Sequence, residues 1–109
     1  MKKLINIASD FSEAPSGRFY EDGDFSGQAF REKILIPSVL KYDKIELNLD
    51  GTEGYGSSFL EEAFGGIVRG GYVTSDELIS KLSIVSSRPQ YIKKIKDHIK
   101  SAGTIRKPK

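Results

Sequence analysis

The 109-residue chain contains no cysteine, no tryptophan and a single histidine, His98. Without cysteine there is no disulfide framework, no thiolate nucleophile and no Cys-ligated zinc or iron–sulfur centre. With His98 alone, a His-rich metal site and a Ser-His-Asp triad both lack parts. The nearest carboxylate, Asp97, is adjacent in sequence, and adjacent residues on a helix do not face each other. Long apolar runs are also missing. Met1 to Ile7 falls short of the roughly 7–15 apolar residues of a signal peptide and the roughly 18 of a membrane span, so a cytoplasmic protein without a membrane segment is expected. The segment from Thr52 to Ser58 has no Gly-Lys-Ser/Thr ending, and no G-x-G-x-x-G stands between strand and helix, which argues against nucleotide binding. Glu21-Asp22-Gly23-Asp24 lacks the spacing and terminal Glu of a calcium loop. The expectation is a non-enzyme with no catalytic residue, no cofactor and no metal.

What is present fits one small domain. Its formal charge of +2 is unevenly spread. Residues 88–109 hold Arg88, Lys93, Lys94, Lys96, Lys100, Arg106, Lys107 and Lys109 against Asp97 alone, so the remainder is net acidic. This basic end has three readings: a solvated helix face that complements the helix dipole, a dock for an acidic partner (another copy included), or a phosphate-contacting surface for nucleic acid. Only Tyr91 interleaves the lysines, which weakens the nucleic-acid reading.

Periodicity supplies the elements. Leu4, Ile5 and Ile7 predict a first strand, and the aromatic Arg18-Phe19-Tyr20 a brief second one between turn residues. Ser26 predicts an N-cap for a helix with Ala29, Phe30, Ile34 and Leu35 on its apolar stripe, kinked or restarted at Pro37. Ile45, Leu47 and Leu49 alternate with polar residues as in a half-buried strand. A helix over about 58–69 follows a Gly-rich loop, with Gly65-Gly66 predicting close approach of a neighbouring backbone. Thr74 and Glu77 have capping-box spacing, Leu82, Ile84 and Val85 predict another strand, and Pro89 opens the last helix. Strands alternating with helices predict an α/β domain over 1–103, its mainly parallel sheet of about four strands packed by helices mostly on one face. Residues 104–109 are expected to form a basic flexible tail.

Two features stand out as candidate sites. Gly56-Ser57-Ser58 opens the central helix. Read structurally, Ser58 caps it, with Glu61 completing a Ser-x-x-Glu box; read functionally, the free N–H groups and helix dipole favour an anion or a phosphorylated serine. Arg18 and Arg31 flank a Gly-rich turn beside another helix start. They are either anion contacts or partners for the local Asp22 and Asp24.

The segment from Leu47 to Gly66 resembles the centre of STAS domains, the fold of bacterial anti-sigma-factor antagonists, where an aliphatic strand leads to an Asp-Ser-Ser-Gly motif at a helix N-terminus. Gly56 stands where that motif has Asp, and Phe59 where it has Gly. More closely, the chain is similar to a bacterial family of STAS-like domains. The match runs through Phe11-Ser12, Pro15, Gly17-Arg18, Asp22-Gly23, Ser26-Gly27, Phe30-Arg31, Asp50-Gly51, Gly54-Tyr55-Gly56-Ser57-Ser58-Phe59 and Glu61-Glu62-Ala63-Phe64-Gly65-Gly66. The resemblance implies a regulatory interaction module, paired with a histidine-kinase-like ATPase and switched by phosphorylation at Ser58 or Ser57. Gly54, Tyr55, Gly56, Ser57, Ser58, Glu61 and Glu62 are then the expected partner-binding residues.

Overall fold

The computed structural model describes residues 1–104. The expected tail begins at Thr104, which closes the last helix, and its remainder, 105–109, lies outside the described residues. The alternation in Ile45, Leu47 and Leu49 does what a period of two requires: all three side chains are buried on one face of β2 (Lys44–Asn48) or directly beyond its end. This strand is the centre of a three-stranded parallel sheet, with β1 (Lys2–Asn6) on one side and β3 (Leu82–Val85) on the other. The register sets Ile5 beside Leu47 and Leu47 beside Ile84, so the apolar residues of all three strands share one face. Leu4 and Val85 on the opposite face are exposed, and Lys2 pairs with Glu46 there at 3.0 Å.

Among the described residues three strands form, one fewer than the sequence suggests. The missing strand is the one expected at Arg18-Phe19-Tyr20. There the Asp22 carboxylate accepts the N–H groups of Arg18 and Phe19 at 3.0 and 2.9 Å, and Tyr20–Asp22 closes as a 3₁₀ turn. A local side-chain acceptor has captured the donors that a ladder would need.

The short helix α1 (Ile7–Asp10) follows β1 directly. Helix α2 spans 27–41 as Gly27–Phe30, a π-turn Arg31–Leu35 and Ile36–Lys41. Ser26 caps it as expected, its Oγ accepting Ala29 N–H at 3.1 Å. Pro37 neither ends nor sharply breaks this helix. The chain widens one turn earlier, Ile36 N–H donating to Arg31 O, and Pro37 then falls in the first turn of the resumed helix, where its missing N–H costs least. Helix α3 spans 57–69 in the same manner, as Ser57–Leu60, a π-turn Glu61–Gly65 and Gly66–Arg69. The Thr74–Glu77 capping box opens α4 (Ser75–Lys81) with both reciprocal bonds at 3.1 Å. Helix α5 (Pro89–Thr104) buries Ile95 and Ile99 and turns its lysines outward. Phe30 of α2 meets Phe59 and Phe64 of α3 at centroid distances of 6.1 and 5.9 Å in the core. Among the described residues no helix is long and apolar enough to cross a membrane.

Candidate functional site

The Gly-Ser-Ser turn is held from below by backbone and tyrosine contacts. The loop after β2 reverses at Gly51 and Gly54, whose φ values of +97° and +135° suit glycine and strain other residues. Tyr55 is buried; its hydroxyl donates to Leu49 O at 2.7 Å, and its N–H donates to the Tyr91 hydroxyl at 3.3 Å. Asp50 fastens the same loop to the start of α5 by accepting from Ser87 N and Oγ at 2.9 and 3.0 Å. Burial pushes the Tyr55 hydroxyl above its ordinary pKa, whereas the Tyr55 N–H bond holds that of Tyr91 below it. Between these loops lies a small open cleft of about 80 Å³, edged by Asp50, Tyr55, Ser87, Arg88 and Tyr91. It is well under the roughly 300–1,000 Å³ of ordinary small-molecule sites.

Above this support, Gly56, Ser57 and Ser58 are all exposed. The helix begins two residues earlier than the Ser58 cap requires. Gly56 is the N-cap, no side chain caps the helix, and Ser58 is its second residue. The Ser58–Glu61 capping box is therefore absent. Its spacing is right, but Glu61 has stronger partners in two arginines. A Gly56→Asp substitution should supply the missing cap. The backbone there (φ −77°, ψ 155°) accepts any residue and a Cβ would meet nothing within 4 Å. We expect a gain of about 0.5–1 kcal/mol, read as a higher urea midpoint; an unchanged or lower midpoint would refute the uncapped start.

One turn along α3, Glu61 and Glu62 enter an ion-pair network with Arg18, Arg31 and Arg69, and Glu32 joins its edge 3.7 Å from Arg31 Nη2. Arg18 Nη1 lies 2.6 Å from Glu61 Oε1 and 3.1 Å from Glu62 Oε1. Arg31 Nη1 donates to Glu62 Oε2 at 2.6 Å and to Glu62 O at 2.7 Å. Arg69 closes the network on Glu61 and approaches Glu62 Oε1 at 3.8 Å. The Glu62 and Arg31 side chains are only 10% and 13% exposed, while Arg18 and Arg69 keep about a third of their surface in solvent. Burial pushes the Glu61 carboxyl up, but the bonds from Arg69 and Arg18 prevail and hold it below the usual carboxylate range.

Arg18 and Arg31 thus do contact anions, but the anions are the chain's own Glu61 and Glu62. The Asp22 brace is real and is made with backbone N–H groups, not with the arginines. Of the residues expected to meet a partner, Gly56, Ser57 and Ser58 are exposed, Gly54 and Glu61 half-buried, and Tyr55 and Glu62 buried. Sequence reasoning missed Arg69 altogether. The signal was Gly65-Gly66, four residues after Glu61-Glu62. A Cβ on Gly66 would collide with the Arg31 guanidinium, and one on Gly65 would lie 2.7 Å from Glu61 Oε2. These glycines clear space for charged side chains, not for the neighbouring backbone expected from the sequence.

A family model described as a STAS-like domain of unknown function matches residues 26–91. The matched span holds the serine turn, Arg31, Glu61, Glu62 and Arg69, with Arg18 outside it. No curated protein and no solved structure matches the chain.

Proposed function

The chain belongs to the family of STAS-like domains of unknown function, and from that membership we propose that it is a regulatory protein-interaction module whose docking surface is centred on Gly56-Ser57-Ser58. Domains of this kind are generally non-catalytic. The supporting observation is the exposed serine pair at the uncapped start of α3, directly after the buried, hydrogen-bonded Tyr55. The partner is a histidine-kinase-like ATPase. It passes the γ-phosphoryl group of ATP to the hydroxyl of Ser58, or of Ser57, with release of ADP and a proton. The modification adds about −1.5 to −2 charge and weakens the contact.

The test is capture of partners from the source cell with and without ATP, followed by mass spectrometry of residues 51–69. An ATPase retained without ATP, and a phosphate on Ser58 with it, is the expected result; Ser58→Ala should retain the partner in both conditions. Unmodified serines and no captured ATPase would overturn the reading. A second reading rests on α5, where Lys94, Lys96 and Lys100 are exposed while Lys93 is paired with Asp97 at 2.9 Å. Salt-sensitive retention on mixed-sequence DNA would favour nucleic-acid binding instead.

A further inference from the structure

The two edges of the sheet differ in how they meet solvent. An edge strand offers unpaired N–H and C=O groups to any other strand, and charged side chains, lysine above all, are the common guard against it. Edge strand β1 carries that guard in Lys2 and Lys3, and the Asp10 carboxylate takes the N–H of Asn6 at 2.8 Å. Edge strand β3 has none: from Leu82 to Ser87 the chain holds no charged residue and no proline.

Backbone groups alternate in direction along a strand. Val85 O accepts Leu49 N–H at 2.9 Å, so Ser83 and Val85 address β2 while Leu82, Ile84 and Ser86 point the other way. The Leu82 N–H returns to Leu78 O. That leaves the C=O of Leu82, both groups of Ile84 and the N–H of Ser86 along the outer edge, beyond which the sheet has no further strand. The Leu82 and Ile84 side chains pack against the core yet are only half-buried. Ser83 and Val85, on the open face, are exposed.

We propose that this edge pairs with the same edge of a second copy of the chain, antiparallel about a two-fold axis at Ile84, so that the two sheets become one. The strand is complementary to itself in that register. Ile84 faces Ile84, Leu82 faces Ser86, and Ser83 faces Val85. Ile84 N–H donates to Ile84 O in both directions, and Ser86 N–H to Leu82 O likewise. No like charges meet, and the half-buried isoleucines cover each other. On β1 the equivalent pairing about Leu4 would bring Lys2 O against the carboxylate that already fills the Asn6 N–H. The contact on β3 is short, which sets the expected Kd at about 100 µM.

Sedimentation of the full chain over about 5–500 µM should show a concentration-dependent dimer. The double variant Ser83→Lys with Val85→Lys, which opposes lysines across the axis, should stay monomeric throughout. A second measurement fixes the register, because the chain has no cysteine of its own. Single variants Ser83→Cys and Val85→Cys are mixed in equal amounts and oxidised. Position 83 faces position 85 of the second copy at a Cα separation of roughly 4.5 Å, within disulfide reach, whereas identical positions lie roughly 7–8 Å apart. The mixed cross-link, resolved by mass, should therefore exceed its random proportion. A wild type that remains monomeric, association unchanged by the two lysines, or cross-links in random proportion would each overturn the proposal. Circular dichroism checks the fold, and if the double lysine variant does not fold, the cysteine mixture decides.

Discussion

Replacing Glu62 with alanine is expected to lower the stability of the domain by about 3–5 kcal/mol, because it strands the buried Arg31 guanidinium. Arg31 would keep its bond to the backbone carbonyl of residue 62 and the looser, part-exposed ion pair with Glu32 at 3.7 Å, but no hydrogen-bonded carboxylate. The attraction between Arg31 and Glu62 is offset by the cost of drying both groups, so the loss measures an unpaired charge more than the value of the pair. Two further variants separate those terms. Glu62→Gln keeps an acceptor without the charge and should cost less. The double variant Arg31→Met with Glu62→Leu removes both charges and should recover most of the stability. Urea unfolding of the four proteins supplies the comparison. A loss for Glu62→Ala below about 1 kcal/mol, typical of an exposed ion pair, would show that water reaches Arg31 freely.

The same network marks the boundary between what the sequence reveals and what it hides. Central strand β2 is legible because its signal is local: alternation over a few residues suffices to assign both the strand and its buried face. The caps at Ser26 and Thr74 are legible for the same reason, each being decided within four residues. At Ser58 an equally local signal misleads. The Ser-x-x-Glu spacing is intact, yet Glu61 is drawn away by Arg69 and by Arg18, the latter from another part of the chain. At Arg18-Phe19-Tyr20 the aromatics suit a strand, but Asp22 chelates the backbone first. Charge pairing across 31 to 44 residues has no period to read. Its trace is the pair of glycines at 65 and 66, whose purpose becomes clear only when the guanidinium that fills the space is in view.

Gly27 is the glycine that does permit close backbone approach, and a methyl group there should cost about 2 kcal/mol. A Cβ at this position would lie 2.6 Å from Phe59 O and 3.3 Å from Ala63 N, with Glu62 Cβ at 3.0 Å. Two of these three atoms belong to the backbone of α3, so no rotamer change can relieve the clash. The start of α2 must retreat, and the Phe30 contacts with Phe59 and Phe64 open with it. Alanine would favour the helix and restrict the unfolded chain, gains of up to about 1 kcal/mol that oppose the clash without cancelling it. The expected sign is therefore destabilising, against the usual trend for glycine-to-alanine changes in helices. A thermal or urea midpoint equal to or above the wild type would mean that α2 and α3 are farther apart than described. Because Arg31 lies on α2 and Glu62 on α3, the same retreat pulls on the Arg31–Glu62 pair. The Gly27→Ala and Glu62→Ala losses should accordingly fall short of additive in the double variant, since the first weakens the contact that the second removes.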